Sequence, residues 1–273
     1  CALPILYNLY PFTSMELGKD FNLDSALHWG TLPAVVYKMQ TDADKTSFLQ
    51  AYAQTYLKEE IWLEQFIRKI DPFRKFLEVS AQCNGQILNL SNIANEVGVD
   101  DKTIKQYFSI LEDTLMGFML EPYHGSFRKR LHSKPKFYYF DTGVCRALSR
   151  MPSVPIKKLT SYYDDIFEHF IILECVRLAS YYFSEYRFSY IKTKDDVEVD
   201  LVVDRPGEKL LCIEIKSGDN IRENKLSSFA NLVKDIPNSE AICISQETRT
   251  KKIGEISVLP WQIALKKYLT INS

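Results

Sequence analysis

Four residues in the second half of the chain, Glu168, Asp200, Glu214 and Lys216, have the types and spacing that phosphate chemistry needs. Side chains alternate along an extended strand, so Glu198, Asp200, Val202 and Asp204 share one face, while Val197, Val199, Leu201 and Val203 share a core face. In the next apolar run Leu210, Cys212, Glu214 and Lys216 lie together, opposite Leu211, Ile213 and Ile215. A hairpin of these two runs brings Asp200, Glu214 and Lys216 to one side. Glu168 is added by helical phase, because it falls on the apolar stripe of Ile172, Cys175 and Ala179. A carboxylate on such a stripe needs a metal ion, a lysine or backbone donors as its partner. Asp200, Glu214 and Glu168 could hold Mg²⁺, which would polarise a phosphate and activate water, while Lys216 oriented that water or offset developing charge. The same residues could instead form a cross-strand ion-pair cluster on a solvated face, with Glu168 a helix-surface acid.

A second group of residues suits contact with nucleic acid. The stretch from Leu90 to Ile104 reads as a helix-turn-helix: Ser91 can cap the first helix, Gly98 can take the positive φ that ends it, and Asp100 or Asp101 can cap the second. On that second helix Ile104, Tyr107, Phe108 and Leu111 form one buried stripe, leaving Lys102, Lys105 and Gln106 outward. Strand-like runs from Gly117 to Tyr123 and from Lys136 to Phe140 flank a polar loop, the pattern of a wing. Residues 122–136 carry Arg128, Lys129, Arg130, Lys134 and Lys136 with no acid, which suits phosphate contact, although charged loops are commonly just solvated.

These residues must be positioned by ordinary elements. Residues 1–36 mix apolar and turn signals without a period of their own. From Thr41 to Lys69 one or two helices are expected, broken by Pro72, then three helices and a hairpin between Phe73 and Gly143. Met151-Pro152-Ser153-Val154-Pro155 reads as a linker. Beyond it come a helix from Tyr162 to Phe183, strands Val197 to Asp204 and Lys209 to Lys216, a helix from Lys225 to Val233, a strand from Glu240 to Ser245 and a helix from Trp261 to Leu269. The fold class expected is α+β or α/β: a helical segment over 1–72, a winged helix-turn-helix over 73–150 and an α/β/α domain over 151–273.

Composition narrows the function. With 34 basic and 35 acidic residues the net charge is −1, so contact with nucleic acid must come from local patches. The six cysteines lack metal-ligand spacing and read as reduced, mostly buried thiols, and no two of the four histidines stand at ligand spacing. The aromatic clusters, Tyr181-Tyr182-Phe183 among them, fit packing better than base stacking. No apolar run spans a membrane and no signal peptide opens the chain, so a cytoplasmic protein with no membrane partner is expected. The first residue is Cys1 rather than Met, so a further amino-terminal portion is expected as well.

Asp200, thirteen intervening residues and Glu214-Ile215-Lys216, preceded by Phe167-Glu168 on a helix, resemble the PD-(D/E)XK restriction-endonuclease-like superfamily. Asp164 stands where that helix motif usually carries glycine. The wider chain resembles bacterial and archaeal AAA+ ATPases with a carboxyl-terminal domain of unknown function. The stretches that carry this are Leu9-Tyr10-Pro11-Phe12-Thr13, Trp29-Gly30-Thr31-Leu32-Pro33, Thr55-Tyr56-Leu57-Lys58-Glu59-Glu60-Ile61, the helix-turn-helix, Lys136 to Gly143, and Glu198-Val199-Asp200. The resemblance implies a P-loop domain upstream. This sequence has no GxxxxGK[ST], so ATP would bind only there. The partners implied are DNA and the upstream ATPase domain, with a homo-oligomer among the assemblies open to it. Two functions follow as alternatives: a DNA-interacting module with a Mg²⁺-dependent endonuclease site, or a catalytically inactive regulatory or protein-interaction module of the same fold.

Overall fold

Local signals start most of the helices. In the computed structural model, which describes residues 9–63, 70–125 and 134–271 (side chains of 56–63 excepted), the described residues up to Tyr37 hold three short α-helices that periodicity does not reveal. A capping box between Thr13 and Glu16 opens α1 (Ser14–Leu17), the Asn22 side chain caps α2 (Leu23–Trp29), and Pro33 begins α3 (Pro33–Tyr37). The long α4 (Asp42–Leu63) and α5 (Ile70–Gln82) follow. Next come α6 (Leu90–Val97) and α7 (Asp101–Asp113), joined by a tight turn. In that turn Gly98 takes φ 85° and Asp100 caps α7, as expected. The α6 cap differs: Asn89 accepts from Asn92 N at 3.3 Å, because the helix starts before Ser91, which instead donates to Asp101 at 2.6 Å.

The strands β1 (Gly117–Leu120) and β2 (Lys136–Tyr139) pair antiparallel, and α8 (Thr142–Leu148) follows. Every residue of β2 is buried because its alternate side chains feed different cores. Phe137 and Tyr139 pack with α5, α6, α7 and α8, whereas Tyr138 joins the core of the second half. Residues 151–155 form no helix or strand, but Arg146 pins them by donating to the carbonyls of Met151 at 2.7 Å and Val154 at 2.6 Å.

The 22-residue α9 (Ser161–Tyr182) leads into a six-stranded mixed sheet. Its elements in chain order are β3 (Arg187–Lys192), β4 (Glu198–Asp204), β5 (Leu210–Ile215), α10 (Ser227–Lys234), β6 (Ser239–Ser245), β7 (Lys251–Ile253), β8 (Ile256–Pro260) and α11 (Trp261–Leu269). The spatial order is β3-β4-β5-β6-β8-β7, parallel between β5, β6 and β8 and antiparallel elsewhere. α9 and α11 cover one face, packing on Leu201, Val203, Leu211 and Ile213, and α10 covers the other with Val202, Cys212 and Cys243. The strand face expected to be polar therefore carries the fully buried Val202 and Cys212. Helices on both sides leave neither face to water.

The two halves share structure. Ala26, Leu27, Leu120 and Tyr138 lie in one core with α9, the sheet and α11. The chain beyond β1 also runs along β3, with Tyr123 N donating to Tyr190 O at 2.8 Å and Tyr190 N to Glu121 O at 3.1 Å.

Candidate functional site

A β-bulge aims the central carboxylate. Between Ser189 and Ile191 the β3–β4 register shifts by one, so that Asp200 and Leu201 together face Tyr190. β4 and β5 pair only from Leu201 to Val203, and beyond Leu201 they part. Asp200 fills the gap, its Oδ2 accepting from Ile215 N at 2.6 Å. Just past the end of β5 the Lys216 ammonium lies 2.5 Å from Glu214 Oε1, while Glu214 Oε2 is buried without a hydrogen-bond partner. Asp200, Glu214 and Lys216 thus meet where the strands separate.

This is not a solvated face. Asp200 and Glu214 are each only 7% exposed. Burial, then the neighbouring Glu214 and Glu168, raise the Asp200 carboxyl well above its usual range. Burial also raises Glu214, against the opposing pull of Lys216. For Lys216, burial would lower the pKa, but the carboxylates of Asp200 and Glu214 outweigh it and raise it.

Glu168 reaches the same cleft from α9 and has found protein partners. Tyr138 Oη donates to its Oε1 at 2.7 Å and Lys136 Nζ lies 3.5 Å away. Lys136 also pairs with Glu198, which Lys192 holds at 3.1 Å. These contacts correct the reading of Lys136 as a phosphate-binding loop residue, for it is 4% exposed and turned into the cleft. Tertiary packing decides that, and the one sequence signal is that Lys136 and Tyr138 share a face of β2. Burial raises Glu198 less than Lys136 and Lys192 lower it, so its carboxyl lies below its usual value.

The cleft has a volume of about 610 Å³. Among the described residues that line it, Asp165, Glu168, Asp195, Asp196, Glu198, Asp200 and Glu214 stand against Lys136, Lys192, Lys216 and Lys225. An excess of acids favours a cation over a bare phosphate. The orphaned Oε2 of Glu214 beside Asp200 suits a divalent ion completed by water. Among the described residues, no group of three His, Cys, Asp or Glu side chains is arranged to hold a metal ion.

The residues expected to touch nucleic acid lie elsewhere. Lys102, Lys105 and Gln106 are exposed on α7, with Asp100 and Asp101 beside them, and Lys134 is exposed just before β2. Arg128, Lys129 and Arg130 lie outside the described residues. His169 is a packing residue: its Nε2 meets Tyr139 O at 2.6 Å, and burial pushes its pKa down to about 4.

Residues 20–154 match a family described as Domain of unknown function (DUF8612), and residues 163–264 match Domain of unknown function (DUF4143). The chain is thus similar to two families in turn. Uncharacterized proteins of Mycobacterium bovis and Mycobacterium tuberculosis are each 22% identical to it over 202 residues, 74% of this chain. The match spans 44% of the length of those relatives. The family boundary falls between α8 and α9, so Glu168, Asp200, Glu214 and Lys216 come from the second match, and Lys136 and Tyr138 reach the cleft from the first. Among the described residues no helix is long and apolar enough to cross a membrane.

Proposed function

We propose that this chain is a DNA-interacting module with a Mg²⁺-dependent phosphodiesterase site of the PD-(D/E)XK type, working with an AAA+ ATPase core in the cytoplasm. The observation that carries the reading is the pair of buried carboxylates, Asp200 and Glu214, one with an orphaned oxygen, beside Lys216 at the parting of β4 and β5. Asp200 and Glu214 would hold the ion, which would supply polarisation of a phosphate and activation of water. Lys216 steers that water and offsets charge on the phosphate, and Tyr138 and Lys136 fix Glu168 at the rim. The helices α6 and α7 with the β1–β2 hairpin form a winged helix-turn-helix in this reading. Its Lys102, Lys105 and Lys134 meet backbone phosphates, together with Arg128, Lys129 and Arg130. A homo-oligomeric assembly belongs to the same reading.

One observation favours a second reading, that of an inactive regulatory or protein-interaction module: Lys136 and Lys216 already pair with Glu198, Glu168 and Glu214. Calorimetric titration with Mn²⁺ and cleavage assays on single-stranded, duplex and branched DNA separate the two. The nuclease reading expects divalent binding and cleavage in the wild type, with Lys216→Ala keeping the ion but cutting slower by orders of magnitude. No binding at millimolar Mn²⁺ and no cleavage would sink it.

A further inference from the structure

The cleft holds a cation of its own that its chemistry does not use. Lys136 enters from β2, in the half that carries the helix-turn-helix, and points at carboxylates of the other half. Its side chain is 5% exposed, with the ammonium against Glu198, 3.5 Å from Glu168 and 5.3 Å from the centre of the Tyr190 ring. Burying an ammonium is unfavourable unless opposite charges surround it. Here the carboxylates of Glu198 and Glu168 supply those charges from two sides. Glu168, which would otherwise be free to ligate, is occupied at Oε1 by Tyr138 and Lys136.

We propose that Lys136 is the built-in counter-cation of this cleft: its ammonium takes the place between Glu168 and Glu198 that a second divalent ion would need, and leaves Asp200 and Glu214 to hold a single ion. Paired divalent ions in phosphoryl-transfer sites neutralise the acids that hold them. A tethered ammonium does the same for half of the cleft, and does so before any metal arrives. The inference rests on the metal-site reading above, but the two can fail separately.

The test is calorimetric titration of Mn²⁺ into the full chain, with ions bound per chain as the readout and circular dichroism as the check on folding. The wild type is expected to bind one ion, Lys136→Met two, and Lys136→Arg one. If Lys136→Met does not fold, Lys136→Gln takes its place, since the amide still donates to a neighbouring carboxylate. One ion in both wild type and neutral variant overturns the proposal and leaves the metal site standing, as does two ions in the wild type. None in the wild type and one in the variant upholds the counter-cation and removes the wild-type metal site. None in either overturns both.

Discussion

Asp200 is aimed by a neighbour rather than by its own strand. The extra residue opposite Tyr190 turns its carboxylate to Ile215 N, and burial beside Glu214 makes its charge unfavourable for the fold. Asp200→Asn keeps an acceptor for Ile215 and removes that charge. The variant is expected to be more stable than the wild type by about 0.5–2 kcal/mol at neutral pH without metal, read from denaturant unfolding, and to lose the gain in stability that Mn²⁺ gives the wild type. A less stable variant would assign Asp200 a structural ion-pair role. The types at this site, two acids and a lysine on adjacent strands, are legible in the sequence. The bulge is not, because it depends on the register of β4 against β3, where the alternation of Arg187, Phe188, Ser189 and Tyr190 is too short to fix a partner. Lys136 is illegible for a related reason: a lysine after a basic loop looks solvated until its tertiary partners are known.

Among the elements, α7 shows how far helical phase goes. Its buried stripe and capping Asp100 are legible, and so are the outward Lys102 and Lys105. Asp100 and Asp101 offset those lysines locally, so any contact with duplex is expected to be modest. Lys102→Ala and Lys105→Ala should each shallow the salt dependence of duplex binding by about one unit if each lysine meets a phosphate. An unchanged slope removes α7 from the interface. The link from α9 to β2 gives a pH dependence. Buried His169, hydrogen-bonded to Tyr139 O, is neutral in the fold, with its pKa lowered to about 4 from the ordinary 6.5. Below pH 6.5 the unfolded chain takes up a proton that the folded chain refuses until about pH 4. The stability His169 contributes is therefore complete above pH 6.5 and is lost as pH falls toward 4, by on the order of 3 kcal/mol. Thermal melts across that window should fall more steeply for the wild type than for His169→Gln, and parallel curves would refute the assignment. Helices as long as α9 announce themselves by composition, whereas the four-residue α1 rests on its capping box and the three-residue β7 on the tight turn that pairs it with β8.

Across the whole molecule, buried polar groups tie the beginning of the chain to its second half. Arg177 on α9 donates to Phe12 O at 3.2 Å, Thr31 Oγ1 at 3.1 Å and Phe140 O at 2.6 Å. Its neighbour Glu174 accepts from Ser14 N at 2.9 Å, and Asp141 accepts from Thr31 N at 2.9 Å. Arg177→Leu would leave Glu174 and Asp141 buried without the cation they share, and should destabilise the chain by about 3–5 kcal/mol in denaturant unfolding. A loss under about 1 kcal/mol, the range of exposed pairs, would show that the network is solvated in solution. None of these contacts is legible in sequence, since each joins residues more than 30 positions apart. The pairing of Glu121 and Tyr123 with Tyr190 has one more consequence. β3 is an outer strand of the sheet, and the other outer strand, β7, offers only Lys251, Lys252 and Ile253. Borrowed chain from the first half thus shields the middle of the longer edge, and lysines guard the shorter one. Severed between α8 and α9, the second half would present β3 as a bare template, open to pairing with its own copies and to aggregation that the intact chain resists.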